Sequence, residues 1–130
     1  EDYLPNNTGV PLMSSKLKKI IDNNITEKES IDWIKCDVFA NEQKKEYYIL
    51  RFNKPLDVLD LDKTKFVKGT DLIIKPVFSI SKITNLNLFT IPTSDDLFKI
   101  SINLFVNSKI KKEIEEQDIT GIEFGSIETT

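Results

Sequence analysis

The chain has 130 residues, with 18 basic and 21 acidic side chains for a net charge of −3, and is 39% hydrophobic and 30% charged. These proportions describe one soluble globular domain with enough chain to bury a core; they exclude a disordered tail and a membrane-spanning chain, and the near-even charge names no electrostatic partner. There is no histidine and a single cysteine, Cys36, so Ser-His-Asp and Cys-His catalysis, histidine metal sites, internal disulfides and cysteine zinc sites are all excluded.

Residues 1–10 carry the turn chemistry of an exposed lead-in, with Pro5, Asn6, Asn7 and Gly9. From Ser14 or Ser15 as a cap, Leu17, Ile20 and Ile21 fall at helical spacing, and Asn23-Asn24 ends the helix. Ser30 to Phe39 reads as a strand, Asn41 to Lys45 as a polar turn, and Glu46 to Asn53 as a second strand, with Tyr48, Leu50 and Phe52 alternating against Tyr47, Ile49 and Arg51. The two are expected to form an antiparallel hairpin. A short acidic edge strand, Leu56 to Leu61, follows the break at Lys54-Pro55. Leu72 to Ile80, Leu86 to Ile91 and Leu97 to Val106 are further strand-like runs.

A second helix is expected over Ser108 to Gln117, capped by Asn107 or Ser108, with Ile110 and Ile114 buried and a last strand carrying Ile122 and Phe124. Its lysines precede its glutamates, the reverse of what the helix dipole favours, so this helix must depend on docking. Helices do not alternate with strands. The expected fold is therefore α+β, a mostly antiparallel sheet with two short amphipathic helices. Residues 11–127 form the single domain and 128–130 a tail. Starting at Glu1 without an initiator methionine, the chain is expected to be the C-terminal part of a longer protein.

Asp60-Leu61-Asp62-Lys63-Thr64 matches the Asp-x-Asp-x-Thr signature of haloacid-dehalogenase-type phosphatases, in which one carboxylate is the nucleophile and the other an acid/base. That motif belongs after the first strand of a parallel sheet, however, and here it stands mid-chain among strands. The plainer reading makes Asp57, Asp60 and Asp62 the solvent side of a strand running into a turn. Arg51 is the only arginine, which weakens a nucleic-acid reading. Trp33 and one of the adjacent Tyr47 and Tyr48, which must point to opposite faces of a strand, are candidates for an exposed protein-binding aromatic.

The order of several segments resembles a bacterial family first catalogued as a domain of unknown function and grouped with the immunity proteins of polymorphic toxin systems. The segments are Pro11 to Ile21, Tyr47 to Asn53, Leu56 to Thr64, and Leu104 to Lys111 with Ile119-Thr120-Gly121-Ile122-Glu123-Phe124. The resemblance spans about Val10 to Phe124; the family's Phe-Arg strand has no counterpart. It implies a cytoplasmic binding protein that occludes a cognate toxin, and it carries over no catalytic residue, metal or cofactor, and neither nucleic acid nor membrane as partner. Trp33, Tyr47, Asp57, Asp60 and Asp62 are the candidate partner-binding residues.

Overall fold

In a computed structural model, which describes residues 2–4, 10–92, 99–100, 104–125, 127 and 129, both expected helices start at their expected caps. Ser14 Oγ accepts from the Leu17 amide at 3.2 Å and opens α1 (Ser15–Asp22), whose Leu17, Ile20 and Ile21 are buried. Asn107 Oδ1 accepts from the Ile110 amide at 3.0 Å and opens the C-terminal helix, Ser108–Glu116, whose Ile110 and Ile114 are buried. In that helix Lys111–Glu115 and Lys112–Glu116 pair at 3.8 Å in solvent, where they contribute little. Glu113 instead accepts from Asn24 Nδ2 at the end of α1, so a polar bridge as well as the isoleucines ties the two helices.

The sheet's main element is the long hairpin of β3 (Ile31–Ala40) and β4 (Gln43–Phe52), paired from Ile31↔Phe52 to Ala40↔Gln43. The turn is shorter than the polar run suggested. It has two residues, Asn41 (φ 52°) and Glu42 (φ 64°), both in the left-handed region that a type I′ turn requires to match strand twist. The residues expected to be loop, 43–45, are therefore strand whose side chains are all solvated. β2 (Leu12–Met13) pairs with β4 at Met13↔Tyr48, and β1 (Tyr3–Leu4) pairs with β2, giving an antiparallel sheet in the order β1-β2-β4-β3.

Thus Asp2 to Leu4 are no free lead-in; residues 5–9 lie outside the described residues. Asp2 accepts from the Ser14 hydroxyl (2.8 Å) and from the Thr120 amide and hydroxyl (3.0 and 3.2 Å), while its own amide donates to Thr120 Oγ1 at 2.9 Å. Burial raises the Asp2 carboxyl, but these donors, helped by Lys16, leave it below its ordinary value.

Two small antiparallel pairs complete the strands, β5 (Lys65–Phe66) with β6 (Ile73–Lys75) and β7 (Leu88–Phe89) with β8 (Phe105–Val106). The expected strand Leu72–Ile80 is cut short, because Pro76 has no amide to donate and Ile80 already begins a short third helix, α2 (Ile80–Ile83). The C-terminal helix is α3. Leu56–Leu61 makes only the single bridge Leu59↔Phe78. Ile122 to Phe124 is not a strand; the Asp2–Thr120 bonds fix where the chain leaves α3, and it runs on irregularly from Gly121 (φ 84°). Of Leu97–Val106, residues 97–98 and 101–103 lie outside the described residues. The class is α+β with antiparallel sheets.

The core joins α1, α3 and the inner face of β4 through Met13, Leu17, Ile21, Leu50, Phe52, Ile110 and Ile114, and continues into Val58, Leu59, Phe78 and Leu88. Phe78, Phe89 and Phe105 form a ring cluster with centroids 4.9 to 5.4 Å apart.

One carboxylate is fully covered. Glu29 is 0% exposed. It accepts from the Thr26 amide (3.2 Å) and hydroxyl (2.9 Å) and from the Asn87 amide and side-chain amide (both 2.9 Å). Asn87 Oδ1 in turn accepts from Asn107 Nδ2 at 2.6 Å, and Asn107 caps α3. Burial alone would raise this carboxyl; its four donors outweigh burial and hold it below its ordinary value of 4.5. A lowered folded value stabilises above the unfolded one, and that contribution is lost as pH falls from 4.5 through the folded value.

Glu29→Gln turns one acceptor into a donor facing another donor. It should cost about 1–3 kcal/mol at neutral pH and flatten the acid limb of stability, read by denaturant unfolding at several pH values. Glu42→Gly should relieve the left-handed turn and raise stability by about 0.5–1 kcal/mol in the same assay.

Candidate partner-binding surface

The segment after β4 is anchored on alternate residues. Leu56, Val58 and Leu59 are buried, while the Asp57 carboxylate points out and accepts from Lys82 Nζ at 2.8 Å. The same ammonium donates to the Leu59 carbonyl at 2.8 Å, tying α2 to this segment.

Asp60 and Thr64 are the two ends of a locked turn. Asp60 Oδ1 accepts from the amides of Asp62 and Lys63, both at 3.1 Å, and its carbonyl accepts from the Thr64 amide at 2.9 Å. Thr64, 6% exposed, donates its hydroxyl to the Val77 carbonyl (3.2 Å) and accepts from the Val77 amide (3.0 Å). Side-chain oxygens here replace strand pairing, so the Asp-x-Asp-x-Thr string fastens a turn against residue 77. It does not sit at the end of a parallel strand. Among the described residues no group of three or more carboxylates or thiols could hold a metal ion. Asp95 and Asp96, the other acidic pair, lie outside the described residues.

Beyond this turn the chain exposes apolar side chains. Leu61, Leu72 and Ile74 are 62, 59 and 64% exposed, and Val67 and Ile80 are also exposed. The β5–β6 hairpin accounts for three of them. Its turn closes through the Thr70 amide to the Val67 carbonyl (2.9 Å) and the Val67 amide to the Leu72 carbonyl (2.8 Å), with Gly69 left-handed at φ 78°. Val67 and Leu72 are exposed and the paired Phe66 and Ile73 half-buried; the register then shifts between Lys65 and Phe66, so the exposed Ile74 stands at a bulge. Asp57, Asp62, Asp71, Lys63, Lys65, Lys68 and Lys75 are all exposed along the same stretch. Apolar side chains with a mixed-charge rim are the composition of a protein-binding patch. Reading the sequence did not single out these apolar residues, because alternation marks two faces without saying which is covered.

Of the expected binding residues, the structure places Asp57, Asp60 and Asp62 together on this segment and sets the two aromatics apart. Tyr47 is 5% exposed and is not available to a partner. Trp33 lies half-buried on β3, its Nε1 donating to Asp22 at 2.8 Å and its ring edge-on to Tyr48 at 6.5 Å. Lys18 Nζ stands 5.5 and 5.3 Å from these two rings and 2.8 Å from Asp22, which fixes the indole against α1. A cleft of about 170 Å³ beside Tyr3, Leu17, Ile114 and Phe124 is apolar, and a second of about 320 Å³ is edged by the already bonded Asp2, Ser14 and Thr120. Lys45 and Glu46 also line the second, and Glu123 the first.

The model of the immunity protein family (Imm11) matches residues 1–129. The chain belongs to the Imm11 immunity protein family. Comparison with curated proteins and with solved structures gave no match. The Imm11 match spans both the Asp2–Thr120 stitch and the Asp60–Thr64 turn, so the strings that carried the resemblance have structural roles in this member. Among the described residues no helix is long and apolar enough to cross a membrane.

Two substitutions separate a structural from a chemical role for this turn. Thr64→Val should cost about 1–3 kcal/mol, since it removes the acceptor of the buried Val77 amide, while the Val77 carbonyl keeps the Asp60 amide at 2.8 Å. Asp62→Asn, at an exposed position, should stay within about 0.5 kcal/mol of the parent in the same denaturant titration.

Proposed function

We propose that this Imm11 member neutralises a cognate toxin in the cytoplasm by binding its toxin domain and occluding it, without catalysis of its own. The observation that carries the reading is the exposed apolar face of the β5–β6 hairpin, with Leu61 before it and Ile80 after it, inside a chain of an immunity protein family. Docking a standard interface buries about 800 Å² on each side, and exposed leucines and isoleucines are suited to its dry centre. Asp57, Asp60 and Asp62, with the lysines around them, form the rim. There they set orientation and encounter rate more than affinity.

The segment is well held for this use. Buried Val58, Leu59, Thr64, Val77 and Phe78 fix it from beneath, so little ordering entropy is lost when a partner docks. The test is a binding titration with the toxin domain encoded beside this gene. Leu72→Glu together with Ile74→Glu should weaken the complex by at least about a hundredfold, as loss of central anchors does, while thermal unfolding of the free protein moves little. A double variant that binds and protects cells as well as the parent would overturn this assignment of the surface.

A further inference from the structure

β3 is an edge strand: its one neighbour is β4, and among the described residues nothing pairs with its other side. The two-residue turn makes Ala40↔Gln43 a hydrogen-bonded pair, and the Asn53 amide donating to the Ser30 carbonyl (2.9 Å) marks the same phase at the far end. Residues 32, 34, 36, 38 and 40 therefore turn their backbone groups to β4. Ile31, Trp33, Lys35, Asp37 and Phe39 turn theirs outward.

Edge strands of this length normally carry features that block further pairing, such as isolated inward charges or bulges. This one has no bulge over its ten pairs, and its charges are self-complementary. Its outward residues read aromatic, plus, minus, aromatic: Trp33, Lys35, Asp37, Phe39. Reversed, as an antiparallel copy presents it, the series reads aromatic, minus, plus, aromatic.

We propose that two copies of this chain associate edge to edge through β3, antiparallel and centred on Cys36. In that register Lys35 faces Asp37 of the second copy and Trp33 faces its Phe39, while on the other side of the sheet Ile34 faces Val38 and Cys36 faces Cys36. Outward backbone groups meet outward backbone groups, so the ladder closes. A shift of two residues in either direction sets Lys35 against Lys35 or Asp37 against Asp37, which is unfavourable. The pairing also accounts for exposed apolar side chains on this arm, since Phe39 is 73% and Ile34 37% exposed in the single chain. Lys35 and Asp37 already bond to Glu46 (3.1 Å) and Lys44 (3.5 Å) on β4, so the new contacts extend a ladder of alternating charge. The two-fold axis makes the interface isologous and closed, so it ends at a dimer. It uses no residue of the β5–β6 hairpin and is independent of the toxin reading.

The test uses sedimentation equilibrium of the full chain, with diamide oxidation as a probe of register. The expected result is a concentration-dependent species of twice the 15.0 kDa chain mass. Cys36 would sit in a non-hydrogen-bonded pair, whose Cα separation of about 4.5 Å permits a disulfide, so diamide should trap the dimer and Cys36→Ser should abolish the trap. Lys35→Glu should weaken association about tenfold, because symmetry counts each reversal twice. Adding Asp37→Lys to it should restore association, which a merely misfolded variant could not do. A monomer at every concentration would overturn the proposal. So would a dimer that Lys35→Glu leaves intact, one that the double reversal fails to rescue, or protection of the β3 edge appearing only when toxin is added.

Discussion

The buried carboxylate of Glu29 is the constraint on which the arrangement of the chain depends. A carboxylate taken out of water is tolerable only when its lone pairs are filled, and here Thr26 and Asn87 fill them. Satisfying one group thereby fixes the loop before β3, the loop before β7 and, through Asn107, the start of α3. None of these segments is near the others in sequence. The helix whose own charges run against its dipole is therefore held by a cap that a distant carboxylate orients, and by Ile110 and Ile114 in the core.

A second polar stitch closes the opposite side. Asp2 joins the first strand to Ser14, the cap of α1, and to Thr120 just past α3, so both helices are clamped at a terminus by a carboxylate or amide from another segment. Asn24 adds a direct bridge from α1 to Glu113 of α3, although its own Oδ1 is buried without a partner among the described residues. Apolar burial gathers these elements. The polar stitches select one mutual placement for them.

What could be read from the sequence followed the reach of each signal. The caps at Ser14 and Asn107 and the alternation of Tyr48, Leu50 and Phe52 are local, and the structure has them where they were expected. The turn at Asn41-Glu42 was overestimated because the distal strand ends are solvated on both faces and look like loop. Tyr47 was misplaced because adjacency shows that two tyrosines oppose each other without showing which face is covered. Glu29 gave no signal at all, since its partner Asn87 is 58 positions away. The acidic string around Asp60 looked chemical for a physical reason: carboxylates and threonine hydroxyls that fasten turns are the same groups that handle phosphate.

The chain is thus a scaffold, fixed by burial and by the Glu29 and Asp2 stitches, with the β5–β6 hairpin presented on it. The most direct measurement of that division is amide hydrogen exchange of the chain with and without its toxin domain. Asn87 and Ile110 should be protected equally in both states, and new protection should appear across residues 61–80 in the complex. Protection gained elsewhere with residues 61–80 unchanged, or an Asn87 amide that exchanges freely in the native chain, would contradict that division.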